Sequence, residues 1–290
     1  MQVVERVTGL RALLSDWRRQ AAKIALVPTM GNLHQGHLSL VDEARRRGDR
    51  VVATIFVNPL QFDRADEVAR YPRTLDEDLR LLRERGTDLV FAPPLQEVYP
   101  RPLEAMTRVE LPGLTEILCG AHRPGHFTGV TTVVAKLFNL TGPDVAVFGE
   151  KDYQQLRVIQ RMVADLDFPI EIIGVPTVRE ASGLALSSRN HYLTPAERAQ
   201  APLLYRTLHD TAQRLRAGET DHAGLTAAVL ARLEAGGLRP EYFEIRTETL
   251  AEPAGHSPDE LVVLAAAWLG RARLIDNLPL ARFEASPEPG

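Results

Sequence analysis

Short apolar runs that alternate with stretches of helical spacing constrain this chain more than any other feature. The runs lie at residues 24–27, 51–57, 89–91, 145–148 and 170–175, and helical periods fill residues 8–20, 36–47, 74–85, 129–140 and 152–166 between them. In the first helix Leu10, Leu13, Leu14 and Trp17 repeat on one face, and in the second Leu38, Val41 and Ala44 do so before Gly48 closes it. A run too short for a helix and apolar on both faces is a strand buried on both sides. Strands of that kind separated by helices belong to a doubly wound α/β fold with a parallel sheet.

The pattern changes near residues 176–178. A Thr194-Pro195-Ala196-Glu197 helix start precedes one long Ala/Leu/Arg helix running to residue 217, and a second helix covers 221–235. Residues 242–246, 261–268 and 272–275 then read as strands of a small sheet. Two domains follow, 1–177 and 178–290, a division that suits a chain of 290 residues. The tail from 285 to 290 reads as frayed.

Composition excludes several function classes. No apolar run approaches the ~18–20 residues of a membrane span, and the first eleven residues lack the apolar core of an export signal. One cysteine, Cys119, rules out an internal disulfide and a cysteine-based zinc site, which fits a cytoplasmic protein. A net charge of −4 with no basic stripe argues against nucleic-acid binding. Lysine occurs only at Lys23, Lys136 and Lys151 among 34 basic residues, which is a hint that a compact, mobile ammonium is retained where it is needed and is equally what chance leaves behind.

Chemistry concentrates where strands give way to helices. Residues 28–37 read Pro-Thr-Met-Gly-Asn-Leu-His-Gln-Gly-His directly after the first buried run. The start of a helix offers free N–H groups and the positive end of its dipole. His34 and His37, an i,i+3 pair whose Cβ atoms stand roughly 5–6 Å apart on a helix, add donors suited to neighbouring phosphate oxygens, and Gly36 admits a close ligand. The pattern favours a nucleotide-phosphate site over two surface histidines.

Asn58-Pro59-Leu60-Gln61-Phe62 follows the second strand, where such folds bind ligands; a ligand-facing Asn58 and Gln61 and a plain Asn-Pro turn are equally open readings. Gly149-Glu150-Lys151-Asp152-Tyr153-Gln154-Gln155 repeats the strand-glycine-helix theme, with Lys151 able to reach phosphate and Asp152 readable as a helix cap. Ser187-Ser188-Arg189-Asn190 is a phosphate clamp or an ordinary polar loop. Asp76, Glu77 and Asp78 read first as partners of a helix dipole, with Asp78 a secondary candidate for Mg²⁺. In the donor-rich loop 122–127, Arg123 faces an anion and His126 is structural.

Taken together, residues 28–37, 56–62, 148–156 and 187–190, in their order and spacing, resemble the pantoate–β-alanine ligases, within the wider His-x-Gly-His nucleotidylyltransferase superfamily. The resemblance covers nearly the whole chain. It implies a Rossmann-like nucleotide- and pantoate-binding domain, a smaller α+β carboxy-terminal lid, and a homodimer. It also implies a two-step reaction, in which pantoate attacks the α-phosphate of Mg-ATP to give pantoyl adenylate and pyrophosphate, and β-alanine then displaces AMP. ATP would be bound by Met30, Gly31, Asn32, Leu33, His34, Gln35, Gly36 and His37, by Gly149, Glu150, Lys151 and Asp152, and by Val178, Leu186, Ser187, Ser188 and Arg189. His34, His37, Lys151, Ser187, Ser188 and Arg189 would stabilise phosphate charge, with His37 as proton donor. Gln61 and Gln155, with Asn58 and Arg123, would hold pantoate and β-alanine. Mg²⁺ would ride mainly on the phosphates. The remaining alternative is a superfamily member that uses a different acceptor.

Overall fold

A computed structural model describes residues 1–62 and 65–283, with residues 65 and 66 described in backbone only. The tail 285–290 lies outside the described residues. The chain divides into two compact units. One comprises Met1–Glu150 and Gln154–Thr177; the other comprises Lys151–Tyr153 and Val178–Gly290.

In the first unit β1 (Gln2–Val4), β2 (Ile24–Thr29), β3 (Arg50–Ile55), β4 (Leu89–Phe91), β5 (Val145–Gly149) and β6 (Glu171–Val175) form one sheet in the order β1-β4-β3-β2-β5-β6. Every pairing is parallel. Central β2 is buried along nearly its whole length, as a strand covered by helices on both faces must be. Ala25, Val27, Val51, Ala53, Val90, Val145 and Val147 meet Leu40, Val41 and Ala44 of helix Gln35–Arg47 on one side. From β2 the chain winds outward through β3 and β4. It then returns to the other side of β2 through β5 and β6. The junction of β2 and β5 is therefore the topological switch point, where open α/β sheets present a crevice at the carboxyl ends of their strands.

In the second unit β7 (Arg239–Thr247), β8 (Leu261–Leu269) and β9 (Ala272–Pro279) make an antiparallel sheet. Helices Leu203–Arg216 and His222–Ala235 bury Leu204, Leu208, Ala212, Leu225, Val229 and Leu233 in one core with Val263, Ala265 and Leu274 of that sheet.

Three expectations need correction. The single helix expected from 195 to 217 is two, Pro195–Gln200 and Leu203–Arg216, because Pro202 has no N–H to continue the ladder across the junction. The helix expected from 129 begins at His126, behind a left-handed Gly125. Strand β1 has no counterpart among the expected elements; three residues carry too little pattern, and only pairing with β4 makes them a strand.

Candidate active site

The loop between β2 and the helix Gln35–Arg47 is held from both ends. At the strand end the Thr29 hydroxyl donates to the Thr54 carbonyl (2.6 Å) and accepts from the Gly31 N–H (3.2 Å). At the crest Gly31 and Asn32 both take positive φ, +81° and +52°. This turn directs two successive N–H groups, those of Asn32 and Leu33, at the carboxylate of Asp78 (2.9 and 2.8 Å). Asp78 is 1% exposed and also accepts from the Thr74 hydroxyl (3.1 Å). A Cβ on Gly31 would stand 2.9 Å from an Asp78 oxygen, so the close approach demands glycine. The carboxylate read as a secondary Mg²⁺ ligand is thus an internal anchor with its oxygens already hydrogen-bonded. Among the described residues no group of three His, Cys, Asp or Glu side chains is arranged to hold a metal.

The two histidines then cap the helix reciprocally. Nδ1 of His34 accepts from the Gly36 N–H (3.2 Å), and Nδ1 of His37 accepts from the His34 N–H (3.3 Å). Their rings lie with centroids 4.1 Å apart, tilted by 35°. A ring nitrogen that accepts a main-chain hydrogen carries none of its own, so in each neutral ring the proton sits on Nε2. Both imidazoles are thereby set as Nε2–H donors side by side at the amino end of a 13-residue helix. The i,i+3 spacing does more than place two donors together, because the main chain selects the tautomer of both.

After β3, Asn58 caps the short turn Pro59–Gln61 and is buried at 1% exposure. Its Oδ1 accepts from the Leu60 N–H (3.3 Å) and the Tyr99 hydroxyl (2.9 Å), while its Nδ2 donates to the Gly129 carbonyl and to Oε1 of Gln61 (3.0 Å each). All four hydrogen-bonding positions of this amide are used inside the protein. Asn58, grouped from sequence with the substrate contacts, touches Gln61 instead. The Gln61 carbonyl accepts from Nδ1–H of His126 (2.7 Å) and from Arg123 (3.2 Å), which also donates to Nε2 of His126 (3.3 Å). Arg123, read as facing an anion, spends these contacts on holding the turn. His126 is structural, as expected. Gln155 is half-buried near the start of helix Tyr153–Asp165. Its neighbour Gln154 is buried and clamps the Cys119 N–H and the carbonyls of Leu114 and Ile117.

The second unit carries the other candidate donors. Lys151 is mostly buried, 3.9 Å from Asp152, and its carbonyl accepts from Nδ2 of Asn277 (3.1 Å). Lys151 and Ser187 line one small cavity with Asn190, Tyr205, Arg273 and Asp276. Ser187 caps the turn Ser188–Tyr192 by accepting from the Arg189 N–H (3.2 Å). The preceding hairpin is closed by Leu186 N–H donating to the Val178 carbonyl (2.9 Å). Arg179 pins it through a two-pronged bond to the buried Asp276 (2.6 and 2.8 Å) and stacks 3.8 Å from the centre of the Tyr205 ring. Sequence reasoning missed Arg179, Tyr205, Asp276 and Asn277, whose partners lie far away along the chain.

Comparison with known proteins agrees across the chain. A family model described as pantoate-beta-alanine ligase matches residues 2–279. A pantothenate synthetase of Thioalkalivibrio sulfidiphilus is 58% identical over 97% of this chain and 98% of its own, and one of Azotobacter vinelandii is 55% identical over 96% and 98%. The crystal structure of pantothenate synthetase from Thermus thermophilus superposes with a TM-score of 0.88 at 48% identity, covering 97% of this chain and 99% of that one. A pantoate-beta-alanine ligase from Francisella tularensis, solved with a β,γ-ATP ligand and β-alanine, gives 0.81 at 33% identity, covering 97% and 98%.

Proposed function

The chain belongs to the pantoate-beta-alanine ligase family, and from that premise we propose how its residues carry out the joining of pantoate to β-alanine. It is an ATP-using ligase that condenses these two substrates. Carboxylates and amines do not condense in water, because hydroxide is a poor leaving group. The carboxylate must first be turned into a mixed anhydride. In our reading a pantoate carboxylate oxygen attacks the α-phosphorus of ATP and pyrophosphate departs with the electrons of the broken P–O bond. The β-alanine amine then attacks the acyl carbon and AMP departs.

The observation that carries this reading is the reciprocal capping of His34 and His37. Charge builds on the phosphate oxygens as pyrophosphate leaves, and donors already oriented there need not reorganise during the reaction. Two Nε2–H groups held by main-chain bonds meet that need, with the helix start adding its dipole. His37 serves as the proton donor to phosphate oxygen. Lys151, Ser187, Ser188 and Arg189 supply further donors; Met30, Gly149, Asp152, Val178 and Leu186 bound the adenosine. Magnesium enters as part of the Mg-ATP substrate, since Asp78 is committed to the loop. Gln61 and Gln155 hold pantoate. Their neutral amides leave the carboxylate nucleophilic, whereas a tight ion pair would blunt it. We further assign the enzyme to the cytoplasm and to a homodimer.

Pantoate-dependent exchange of labelled pyrophosphate into ATP tests the first step directly. Exchange that requires pantoate and proceeds without β-alanine is the expected result. Exchange with another acid but none with pantoate would overturn the reading.

A further inference from the structure

We propose that Asn58 and Tyr99 are positioning residues that fix which atom of the Gln61 amide meets the acid substrate. An amide can present either end: an oxygen that accepts or an NH₂ that donates. For a carboxylate, which only accepts, only the second is useful, and an exposed carboxamide in water has little reason to prefer it.

The preference here is imposed in steps. The Gly129 carbonyl can only accept and the Leu60 N–H can only donate. Asn58 lies between them, so its Nδ2 must face Gly129 and its Oδ1 must face Leu60. The second hydrogen of Nδ2 then points at Gln61, whose amide is held with Oε1 toward Asn58. Nε2 is the end left to donate outward, and among the described residues no hydrogen bond from it is formed. Reversing Gln61 would set two NH₂ groups against each other. The Tyr99 hydroxyl completes the second lone pair of Asn58. Tyr99 is 3% exposed, and burial pushes its pKa up, so it remains an O–H at any working pH.

The framework is stiff. A Cβ on Gly129 would stand 2.2 Å from the Leu60 carbonyl oxygen, so the turn and helix His126–Thr141 are in backbone contact there. Arg123 and His126 hold the Gln61 main chain from the other side. Gln61 therefore keeps its place when its neighbour's chemistry changes, and the polarity of its amide can be altered separately from its position.

This inference rests on the reading of Gln61 as a pantoate contact, and the test separates the two. Steady-state kinetics would be measured for Tyr99→Phe, Asn58→Asp and Gln61→Ala, and for each of the first two combined with Gln61→Ala. Tyr99→Phe removes one hydroxyl with little change of shape. Asn58→Asp keeps the shape and the acceptor but loses both donors. The expected result is a rise in KM for pantoate of about threefold to tenfold for Tyr99→Phe, the scale of one lost neutral hydrogen bond. The rise is larger for Asn58→Asp, with KM for ATP within about twofold throughout. In the Gln61→Ala background neither substitution should add to the effect, because residues acting through one partner are not additive. Full additivity, or an equal rise in KM for ATP, overturns the proposal. So does a normal pantoate KM in both single variants while Gln61→Ala raises it, and that outcome leaves the Gln61 reading intact. A normal pantoate KM in Gln61→Ala overturns both. Should Asn58→Asp fail to fold, the Tyr99→Phe arm and its cycle decide alone.

Discussion

At the scale of single residues, this protein depends on groups whose hydrogen-bonding role has been decided in advance. His34 and His37 each give Nδ1 to a main-chain N–H and so keep Nε2–H as a donor. Substituting either ring removes an oriented donor and a helix cap together. We expect His37→Ala and Lys151→Ala each to slow pantoyl-adenylate formation by about a hundredfold or more, in line with the loss of one preorganised donor to a developing oxyanion. Single-turnover release of pyrophosphate measures this. Near-normal rates in both variants, with the proteins folded, would contradict the assigned roles. The identity of these residues is readable from the His-x-Gly-His pattern. Their tautomers are not, because they depend on where two main-chain N–H groups point. The same holds for Asn58. Its residue type announces a turn or a ligand contact with equal force, and only burial with all four hydrogen-bonding positions filled turns it inward.

At the scale of elements, the loop after β2 is shaped by Asp78 from the distant helix Leu75–Glu84. Gly31→Ala places a methyl against that carboxylate and forces an L-residue into positive φ. The left-handed backbone alone costs about 1–2 kcal/mol. We expect a lower melting temperature and a larger proportional loss of adenylation than of stability, seen by calorimetry and exchange on the same sample. In the second unit the turn Pro258–Glu260 is capped by its own acid. The Ser257 N–H and hydroxyl, with His256 behind them, hold the Glu260 carboxyl down at about 2 from an ordinary 4.5. A carboxyl with a lower pKa when folded contributes stability that is present above pH 4.5 and is lost as pH falls through about 2. Glu260→Gln should therefore flatten the acid limb of the unfolding curve in that window, by lowering stability above pH 4.5 and leaving stability below about pH 2 nearly unchanged. The effect is small because the carboxyl is exposed and screened by water. A variant whose acid limb matches the parent would remove this cap from the account of acid stability.

At the scale of the whole molecule, each of the two units has its own core, one around a parallel sheet and one around an antiparallel sheet. A ligand that binds the folded chain and not the unfolded one stabilises it by mass action, about 2.7 kcal/mol at a concentration one hundred times Kd. Mg-ATP at such a concentration should raise the melting temperature, and His34→Ala with His37→Ala should abolish most of the rise. An unchanged shift in that double variant would mean that the histidines do not meet the nucleotide. The alternation of short apolar runs with helical periods was enough to establish the parallel sheet. The strand-glycine-helix junctions were legible too, because both patterns are written in residues adjacent along the chain. Boundaries were less legible where a local signal competed with a neighbour. Pro202 split one expected helix, and three residues at the amino terminus became a strand only by pairing with β4. The fold class and the family were both legible in the order of residues alone. It took the folded chain to show that Asp78 anchors a loop, that Asn58 bonds to Gln61, that Arg179 locks the hairpin to Asp276, and which histidine nitrogens accept from the main chain. Those outcomes rest on hydrogen bonds between groups far apart in sequence, or on the direction of a backbone N–H, and neither leaves a periodic trace in the order of residues.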